Sequence, residues 1–474
     1  MTPFLEQVVR SLNKAWNFSL PGSADLSPEP GLYHYQRQKG EEKTRLHLRI
    51  DPDGHGTLLI NANEIVHFNP TAALMTFLHL EQFSEIVAQK ILVNRFQVTA
   101  DQAKTDYQRI ISDVEAFIQA NGQPIHPQSE ITFLTPFSQR PSSPYRMDLA
   151  LTYRCNNACS HCYNARARSY PEMTTIRWKE TIDRTWSLNI PHVVFTGGEP
   201  TLRKDLPELI HHAESLGQIT GLNTNGRRLA DPAYVQELVD AGLDHVQITF
   251  ESHLPAVHDQ MVAANGAWEQ TIQGINNAVS SSLYLMTNTT MLQDNYADLP
   301  QTLDILADIG VPTVGLNALI YAGHGKSVGT GLREDQLQNL LEIAQEKTKT
   351  AGQRLIWYTP TTYCHFNPLD YDLGLKGCTA ALYNMCVEPD GGVIPCQSYY
   401  HQLGHILDDP WSSIWEHDLA LDLRERRSLP DECGECALLF ECGGGCPLSR
   451  EENPVQLQPQ NPLRCLTSAK KEQY

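Results

Sequence analysis

The residues best suited to chemistry are twelve cysteines, and their placement divides them into two sets. None lies in the first 154 residues; three fall between Cys155 and Cys162, and nine between Cys364 and Cys465. The first set reads Cys155-Asn-Asn-Ala-Cys159-Ser-His-Cys162. Such spacing lets one turn of chain present several sulfurs to one metal centre. Three thiolates on a four-iron cluster leave one iron open; the competing reading is a zinc knuckle short of its fourth ligand. Disulfides are a poor account, because Met1 to Pro28 lacks the apolar run of an export signal and the chain far exceeds the small secreted domains that depend on them.

Polar motifs recur where strands are expected to end. Thr196-Gly197-Gly198-Glu199-Pro200 combines two glycines, which permit close backbone approach, with a carboxylate able to accept from an ammonium group. Leu222-Asn223-Thr224-Asn225-Gly226 also reads as an Asn-Gly turn after a strand. Ile248-Thr249-Phe250-Glu251-Ser252 offers a hydroxyl at Thr249, and His258-Asp259 follows, with His258 expected to pack and hydrogen-bond rather than catalyse. Asn288 belongs to the next strand. In the second cysteine set, Cys378 is followed after twelve residues by Gly391 and after four more by Cys396. Cys433-x2-Cys436-x5-Cys442-x3-Cys446 then leads, eighteen residues on, to Cys465. Two structural zinc sites are the alternative for this set.

The elements that must position these residues can be read from periodicity. Apolar strands are expected at 147–152, 193–196, 219–224, 245–250, 284–291, 313–320 and 354–358, alternating with amphipathic helices. One such helix carries Leu206, Leu209, Ile210, Ala213 and Leu216 on a single stripe. Repeated βα units predict a parallel sheet, barrel or doubly wound, with chemistry at the strand C-termini. Residues 1–122 suggest a small domain: a hairpin from Leu46 to Ile60 around Asp51-Pro52-Asp53-Gly54, then helices starting at Asn69-Pro70 and covering 86–92 and 107–118. Residues 123–145 hold prolines 124, 127, 136, 141 and 144 and read as a semi-rigid linker. Residues 146–360 form the βα region, and residues 361–474, poor in periodic pattern but rich in Cys, Gly and Pro, are expected to fold around metals.

With these motifs in view, the chain resembles the radical S-adenosylmethionine (SAM) superfamily, whose hallmark is CxxxCxxC with an aromatic residue before the third cysteine, here His161. The resemblance implies an α/β fold, a partial (β/α)6 barrel, and a [4Fe-4S] cluster on Cys155, Cys159 and Cys162. SAM's methionine portion would chelate the open iron, and reductive cleavage would give a 5′-deoxyadenosyl radical that abstracts hydrogen from the substrate. Gly197, Gly198, Glu199 and Pro200 match the family's GGEP motif, which binds the SAM amino group. Asn225, Thr249 and Asn288 would line the same pocket. The arginine that often follows the His-Asp pair is replaced by Val262, which puts the hold on the SAM carboxylate in question. The second cysteine set resembles the SPASM domain in every spacing, implying two auxiliary [4Fe-4S] clusters. By analogy one is held by Cys378, Cys396 and Cys446, with Cys386, Cys364 or an open position as its fourth site. The other is held by Cys433, Cys436, Cys442 and Cys465. Residues 1–122 resemble, more distantly, the PqqD-like elements that bind leader peptides.

Asp and Glu number 55 against 36 Lys and Arg, a formal charge of −19, which argues against nucleic acid as a partner. No run of about 18 apolar residues suggests a membrane span, and a cytoplasmic location is expected. The resemblance implies modification of a peptide or protein, such as crosslinking or oxidation, with auxiliary clusters accepting electrons or binding substrate and a ferredoxin or flavodoxin as electron donor. The alternatives are a dehydrogenase of a small molecule or cofactor precursor, and a non-enzymatic multi-cluster electron carrier.

Overall fold

The computed structural model describes residues 28–39, 42–61, 64–120 and 141–452. Cys465 and most of the expected linker lie outside them. The chain forms two compact units, Met1–Phe133 and Leu134–Tyr474.

The first unit is a four-stranded antiparallel meander, β1 (Gly31–Lys39), β2 (Glu42–Ile50), β3 (Gly56–Ile60) and β4 (Glu64–Phe68), followed by α1 (Pro70–Leu80), α2 (Glu85–Phe96) and α3 (Ala100–Ala120). The expected hairpin is β2–β3, in which Leu46 faces Ile60 and Leu48 faces Leu58, all four buried. Its turn closes through the Gly54 N–H donating to the Asp51 carbonyl at 2.8 Å, with Gly54 at φ +86. Helix α1 starts as anticipated: the Asn69 side chain accepts from the Ala72 N–H, and Pro70 occupies the first turn, where its missing N–H costs nothing. Strand β1 was not anticipated, because its polar residues obscure the alternation. Tyr33 and Tyr35 nonetheless pack against the core shared by β2, β3 and α1.

The second unit is built on one ten-stranded sheet. Seven consecutive parallel strands supply most of it: β5 (Arg146–Thr152), β6 (His192–Gly197), β7 (Ile219–Thr224), β8 (His245–Thr249), β9 (Tyr284–Thr290), β10 (Thr313–Asn317) and β11 (Arg354–Trp357). All seven fall on the strand segments expected from periodicity. Val193, Phe195, Leu222, Val246, Ile248, Leu285, Val314 and Leu316 join one apolar core with the crossover helices. The residues that alternate with these are largely polar, among them His192, Gln247, Thr249, Asn288 and Asn317. Strands covered on both faces by apolar layers read as continuous hydrophobic runs; the alternation here therefore marks a polar inner face.

The cysteine-rich tail continues the same sheet. Strand β12 (Asn384–Val387) pairs in parallel with β5 on the side away from β6, and β13 (Gly392–Ile394) and β14 (Gly404–His405) follow antiparallel. Val393, Leu403, Ile414 and Trp415 belong to the same apolar core as the parallel strands. Among the described residues no helix is long and apolar enough to cross a membrane.

Candidate cluster and cofactor site

The site begins where β5 and β6 end side by side. The Gly198 N–H donates to the Thr152 carbonyl at 2.7 Å, and the Glu199 N–H to the Arg154 carbonyl at 2.8 Å. Both glycines are sterically required. At Gly197, φ +139, a Cβ would stand 2.1 Å from the Thr152 carbonyl oxygen, and at Gly198 it would stand 2.4 Å from that of Arg154. The Gly-Gly-Glu backbone therefore lies directly on the residues that launch Cys155.

Two guanidinium groups brace the cysteine loop. Arg168 donates to the Cys155 carbonyl at 2.6 Å and to the Asn157 carbonyl, while Arg227 donates to the Asn156 carbonyl and Asn157 Oδ1, both at 2.7 Å. The Ala158 and Ser160 N–H groups donate to the Val262 and Met261 carbonyls at 2.9 and 3.0 Å. The loop is thus held from both sides, and Val262 contributes its backbone at the position where the resemblance led one to look for an arginine.

Burial pushes the Cys155 thiol up to about 11, with the charges of Glu199 and Cys162 adding to it and the Asn157 N–H, 3.4 Å from Sγ, opposing it. Burial likewise raises Cys159 well above its ordinary value, reinforced by Cys162, Glu251 and Cys155. Cys162 is raised by burial and relieved by the Asn164 N–H and Arg168. Three half-buried thiols in one short loop, each raised by burial, need a cationic centre to stand as thiolates, which suits this donor set to a metal cluster. Among the described residues no three His, Cys, Asp or Glu side chains converge on the position of a single metal ion.

Glu199 is fully buried and ties its own turn to the end of β7. Its Oε1 accepts from the Thr201 N–H (3.0 Å), Thr201 Oγ1 (2.6 Å) and Thr224 Oγ1 (2.8 Å), and Oε2 accepts from the Asn225 N–H (2.8 Å). Burial raises its pKa while these four bonds oppose the rise. Only Oε2, with a single donor, keeps capacity for a further ligand. Pro200 opens the short helical turn that Glu199 caps. Asn225 Nδ2 donates to Asn156 Oδ1 at 2.7 Å, tying the third strand end to the cysteine loop.

On the inner face, Thr249 and Asn288 are register partners in β8 and β9, and Asn288 Oδ1 accepts from Asn317 Nδ2 at 3.0 Å. His258 is structural: its Nδ1 accepts from the Glu251 N–H at 3.2 Å, and burial holds its pKa below the ordinary value. Glu251, fully buried, pairs with His161 Nε2 at 3.0 Å and accepts the Thr290 N–H at 2.8 Å. Burial disfavours the His161 imidazolium, but the Glu251 charge and hydrogen bond overcome it, and the pKa is raised. His161 Nδ1 is buried with no hydrogen-bond partner in the described chain, a group that a bound ligand would satisfy. Arg168, Arg227 and Asn317 were not anticipated as site residues, nor was Glu251 as the partner of His161. Asn317 follows the same polar-residue-at-a-strand-end signal that marked Thr249, whereas the two arginines carry no local signal.

The tail cysteines fall into groups. Burial raises Cys378, and the charges of Cys446 and Cys396 add to it; Cys396 is pushed up to about 12 by burial, with Cys446 contributing. Cys433 is raised by burial and then by Cys442, Cys364 and Cys436. Cys442 is raised by burial against the Tyr363 and Gly444 N–H groups, with Cys364 and Cys436 adding. The charge of Cys364 thus bears on both Cys433 and Cys442. Cys386 is buried on β12 among Ala150, Tyr153 and Ile394, and Cys396 is one of the charges that raise it. Gly443, Gly444 and Gly445 all have left-handed φ (+59, +74 and +71), folding the chain tightly beside Cys442 and Cys446. Residues beside the two cysteine regions are joined directly: Tyr163, next to Cys162, donates through its hydroxyl to Oε1 of Gln397, next to Cys396, at 2.7 Å. Arg166 grips Glu388 in a fork at 2.6 and 2.8 Å.

Comparison with known proteins agrees with this geometry. Residues 149–318 match the radical SAM superfamily, and residues 378–437 match SPASM, an iron-sulfur cluster-binding domain. The chain thus carries a radical SAM domain followed by a SPASM domain. The first domain implies a [4Fe-4S] cluster and SAM, the second auxiliary iron-sulfur clusters. Similar curated proteins include the Fe-coproporphyrin III synthase of Methanosarcina barkeri, 28% identical over 62% of this chain and 81% of that protein. The PqqA peptide cyclase of Rhizobium meliloti is 27% identical over 64% and 82%. Among solved structures, Streptococcus suis SuiB bound to precursor peptide SuiA has a TM-score of 0.64 at 14% identity, covering 85% of this chain and 95% of that one. anSMEcpe with bound AdoMet and a peptide has a TM-score of 0.52 at 17% identity, covering 65% and 90%. At these identities the structures establish likeness of fold.

Proposed function

We propose that this radical SAM enzyme modifies a peptide or protein substrate, captured in part by the 1–122 region. The observation that carries this reading is the N-terminal meander. Its strand order leaves β1 and β4 as edges, and an exposed edge can accept an extended peptide as a further strand. The fold likeness to SuiB spans more of this chain than the Leu134–Tyr474 unit alone, and that protein was solved with a precursor peptide bound.

In this reading Cys155, Cys159 and Cys162 hold the SAM-binding cluster, and the tail cysteines hold the auxiliary clusters. When bound, the cluster and SAM supply one-electron cleavage of a carbon–sulfur bond and a carbon radical able to take hydrogen from an unactivated C–H. The protein's part is positional. Arg168 and Arg227 fix the cysteine loop, Glu199 Oε2 receives the ammonium group, and His161, oriented by Glu251, turns Nδ1 to the ligand. Thr249 and Asn288 furnish polar contacts on the inner face. A ferredoxin or flavodoxin is the proposed electron source.

The test is anaerobic incubation of the reconstituted full chain with SAM, a reductant and short peptides encoded beside its gene, read by mass spectrometry. A peptide mass change with stoichiometric 5′-deoxyadenosine supports the reading. Conversion of an iron porphyrin in a parallel reaction, with peptides unchanged, overturns it in favour of the second reading, small-molecule chemistry. That second reading rests on similarity to the Fe-coproporphyrin III synthase and to a pre-heme d1 synthase of Dinoroseobacter shibae, 26% identical over 67% of this chain.

A further inference from the structure

The loops that follow β5, β6 and β7, three neighbouring parallel strands, share the C-terminal end of the sheet. Residues 153–172, 198–205 and 225–231 of these loops carry seven Arg and Lys against four Asp and Glu, in a chain whose formal charge is −19. Three of the cations are neutralised by carboxylates: Arg154 pairs with Glu172 at 3.0 Å, Arg166 with Glu388 at 2.6 Å and Arg203 with Asp205 at 2.6 Å. Among the described residues the other three guanidinium groups meet only neutral oxygens. Arg168 donates to the Cys155 and Asn157 carbonyls, and Arg227 to the Asn156 carbonyl, Asn157 Oδ1 and, at 2.6 Å, Gln270 Oε1. Arg228 donates to the Thr201 carbonyl and lies 3.8 Å from the centre of the Tyr234 ring. Lys204, exposed on the loop after β6, has no ion pair among the described residues.

Asn156, Ala158 and Ser160 are exposed while Cys155, Cys159 and Cys162 are half-buried, so the sulfurs lie shallow beneath this face. Electron transfer between proteins falls off steeply with distance and favours entry where the cover is thin. We infer that this face docks the electron donor, an acidic one-electron flavin or iron-sulfur protein, with Arg228 and Lys204 as contacts and the uncompensated charge around the cysteine loop as the steering field. The inference rests on reading Cys155, Cys159 and Cys162 as ligands of the cluster that the donor reduces. An acidic partner is repelled by the net charge of the chain as a whole and attracted locally by this face, and that contrast both brings it in and orients it. Each encounter moves one electron from the donor, which is oxidised, to the cysteine-loop centre, which is reduced, with no atom transferred.

The experiment uses the reconstituted full chain, its Lys204→Glu and Arg228→Glu variants and the double variant, with an acidic flavodoxin as probe. Affinity for oxidised flavodoxin is measured by biolayer interferometry at low and high salt. In parallel, 5′-deoxyadenosine formation is driven by reduced flavodoxin and by dithionite, a small reductant that needs no docking. Wild type should bind flavodoxin more weakly as salt rises, and the double variant should bind roughly tenfold more weakly at low salt with most of that salt dependence lost. Flavodoxin-driven turnover should fall in step while dithionite-driven turnover stays unchanged. Lys204→Glu alone should weaken binding about threefold and carries the test should the Arg228 variants not fold. Wild-type affinity in the variants, an equal loss of turnover with dithionite, or wild-type binding indifferent to salt overturns the inference. Absence of dithionite-driven 5′-deoxyadenosine from the wild type overturns instead the reading on which it rests.

Discussion

Replacing Gly198 by Ala tests whether the contact between two strand ends sets the position of the cysteine loop. Gly198 has no left-handed φ, so alanine meets no conformational penalty there and the perturbation is purely a matter of space. The new Cβ would stand 2.4 Å from the Arg154 carbonyl oxygen and 2.7 Å from that of Tyr153. Ordinary contact begins near 3.4 Å, so the Gly-Gly-Glu backbone must withdraw by about 1 Å. That shift strains the bonds from Gly198 N–H to Thr152 and from Glu199 N–H to Arg154. Two such bonds at about 1 kcal/mol each, with about 1–3 kcal/mol for overpacking, amount to about 3–5 kcal/mol of stability. Because Arg154 precedes Cys155 directly, misplacement by about 1 Å should also slow SAM cleavage roughly 100-fold. Anaerobic urea unfolding and the rate of 5′-deoxyadenosine formation measure the two effects. A variant with the wild-type midpoint and rate would show that the cysteine loop is positioned by something other than this contact.

Three further outcomes are expected. Replacing Cys155, Cys159 and Cys162 together by Ala should abolish 5′-deoxyadenosine formation while about two thirds of the iron remains; retained SAM cleavage would refute the assignment of that triplet. Burial lowers the His245 pKa to about 4, and its Nε2 lies 2.8 Å from His192 Nε2. A folded-state value below the unfolded one means that stability is complete above pH 6.5 and is lost as pH falls toward 4, by about 3 kcal/mol for this group. His245→Gln should therefore flatten the acid limb of a Tm-against-pH curve, and an unchanged limb would contradict the burial argument. Deleting Met1 to Ala120 should weaken substrate-peptide binding, read by fluorescence anisotropy, with uncoupled SAM cleavage retained; equal affinity would return that region to a purely structural role.

Much of the scaffold was legible because its signals are local. All seven parallel strands were placed within a few residues, since apolar runs bounded by turn residues recur with helices of one-sided pattern between them. The cysteine spacings and Gly197-Gly198-Glu199 announced themselves for the same reason: a motif compressed into one turn survives in sequence. What escaped depends on tertiary neighbours. Arg168 and Arg227 are ordinary surface-type residues until the fold brings them to the carbonyls of residues 155–157, and Glu251 gains meaning only from His161, ninety residues earlier. Strand β12 was hidden because the short Asn-Met-Cys-Val stretch has neither length nor alternation, and its pairing with β5 is dictated from the far side of the sheet.

That pairing bears on how the protein is made. Strand β5 supplies the root of the cysteine loop, yet one of its two flanking partners emerges from the ribosome only after roughly half the chain has followed it. Contacts this remote in sequence form late, so the sheet that carries Cys155 is incomplete until the tail has been synthesised. Metal insertion into both cysteine regions would then be a post-synthetic event on a finished sheet. A chain truncated ahead of Asn384 should leave β5 as an unpaired edge, prone to aggregation rather than able to serve as a smaller working enzyme.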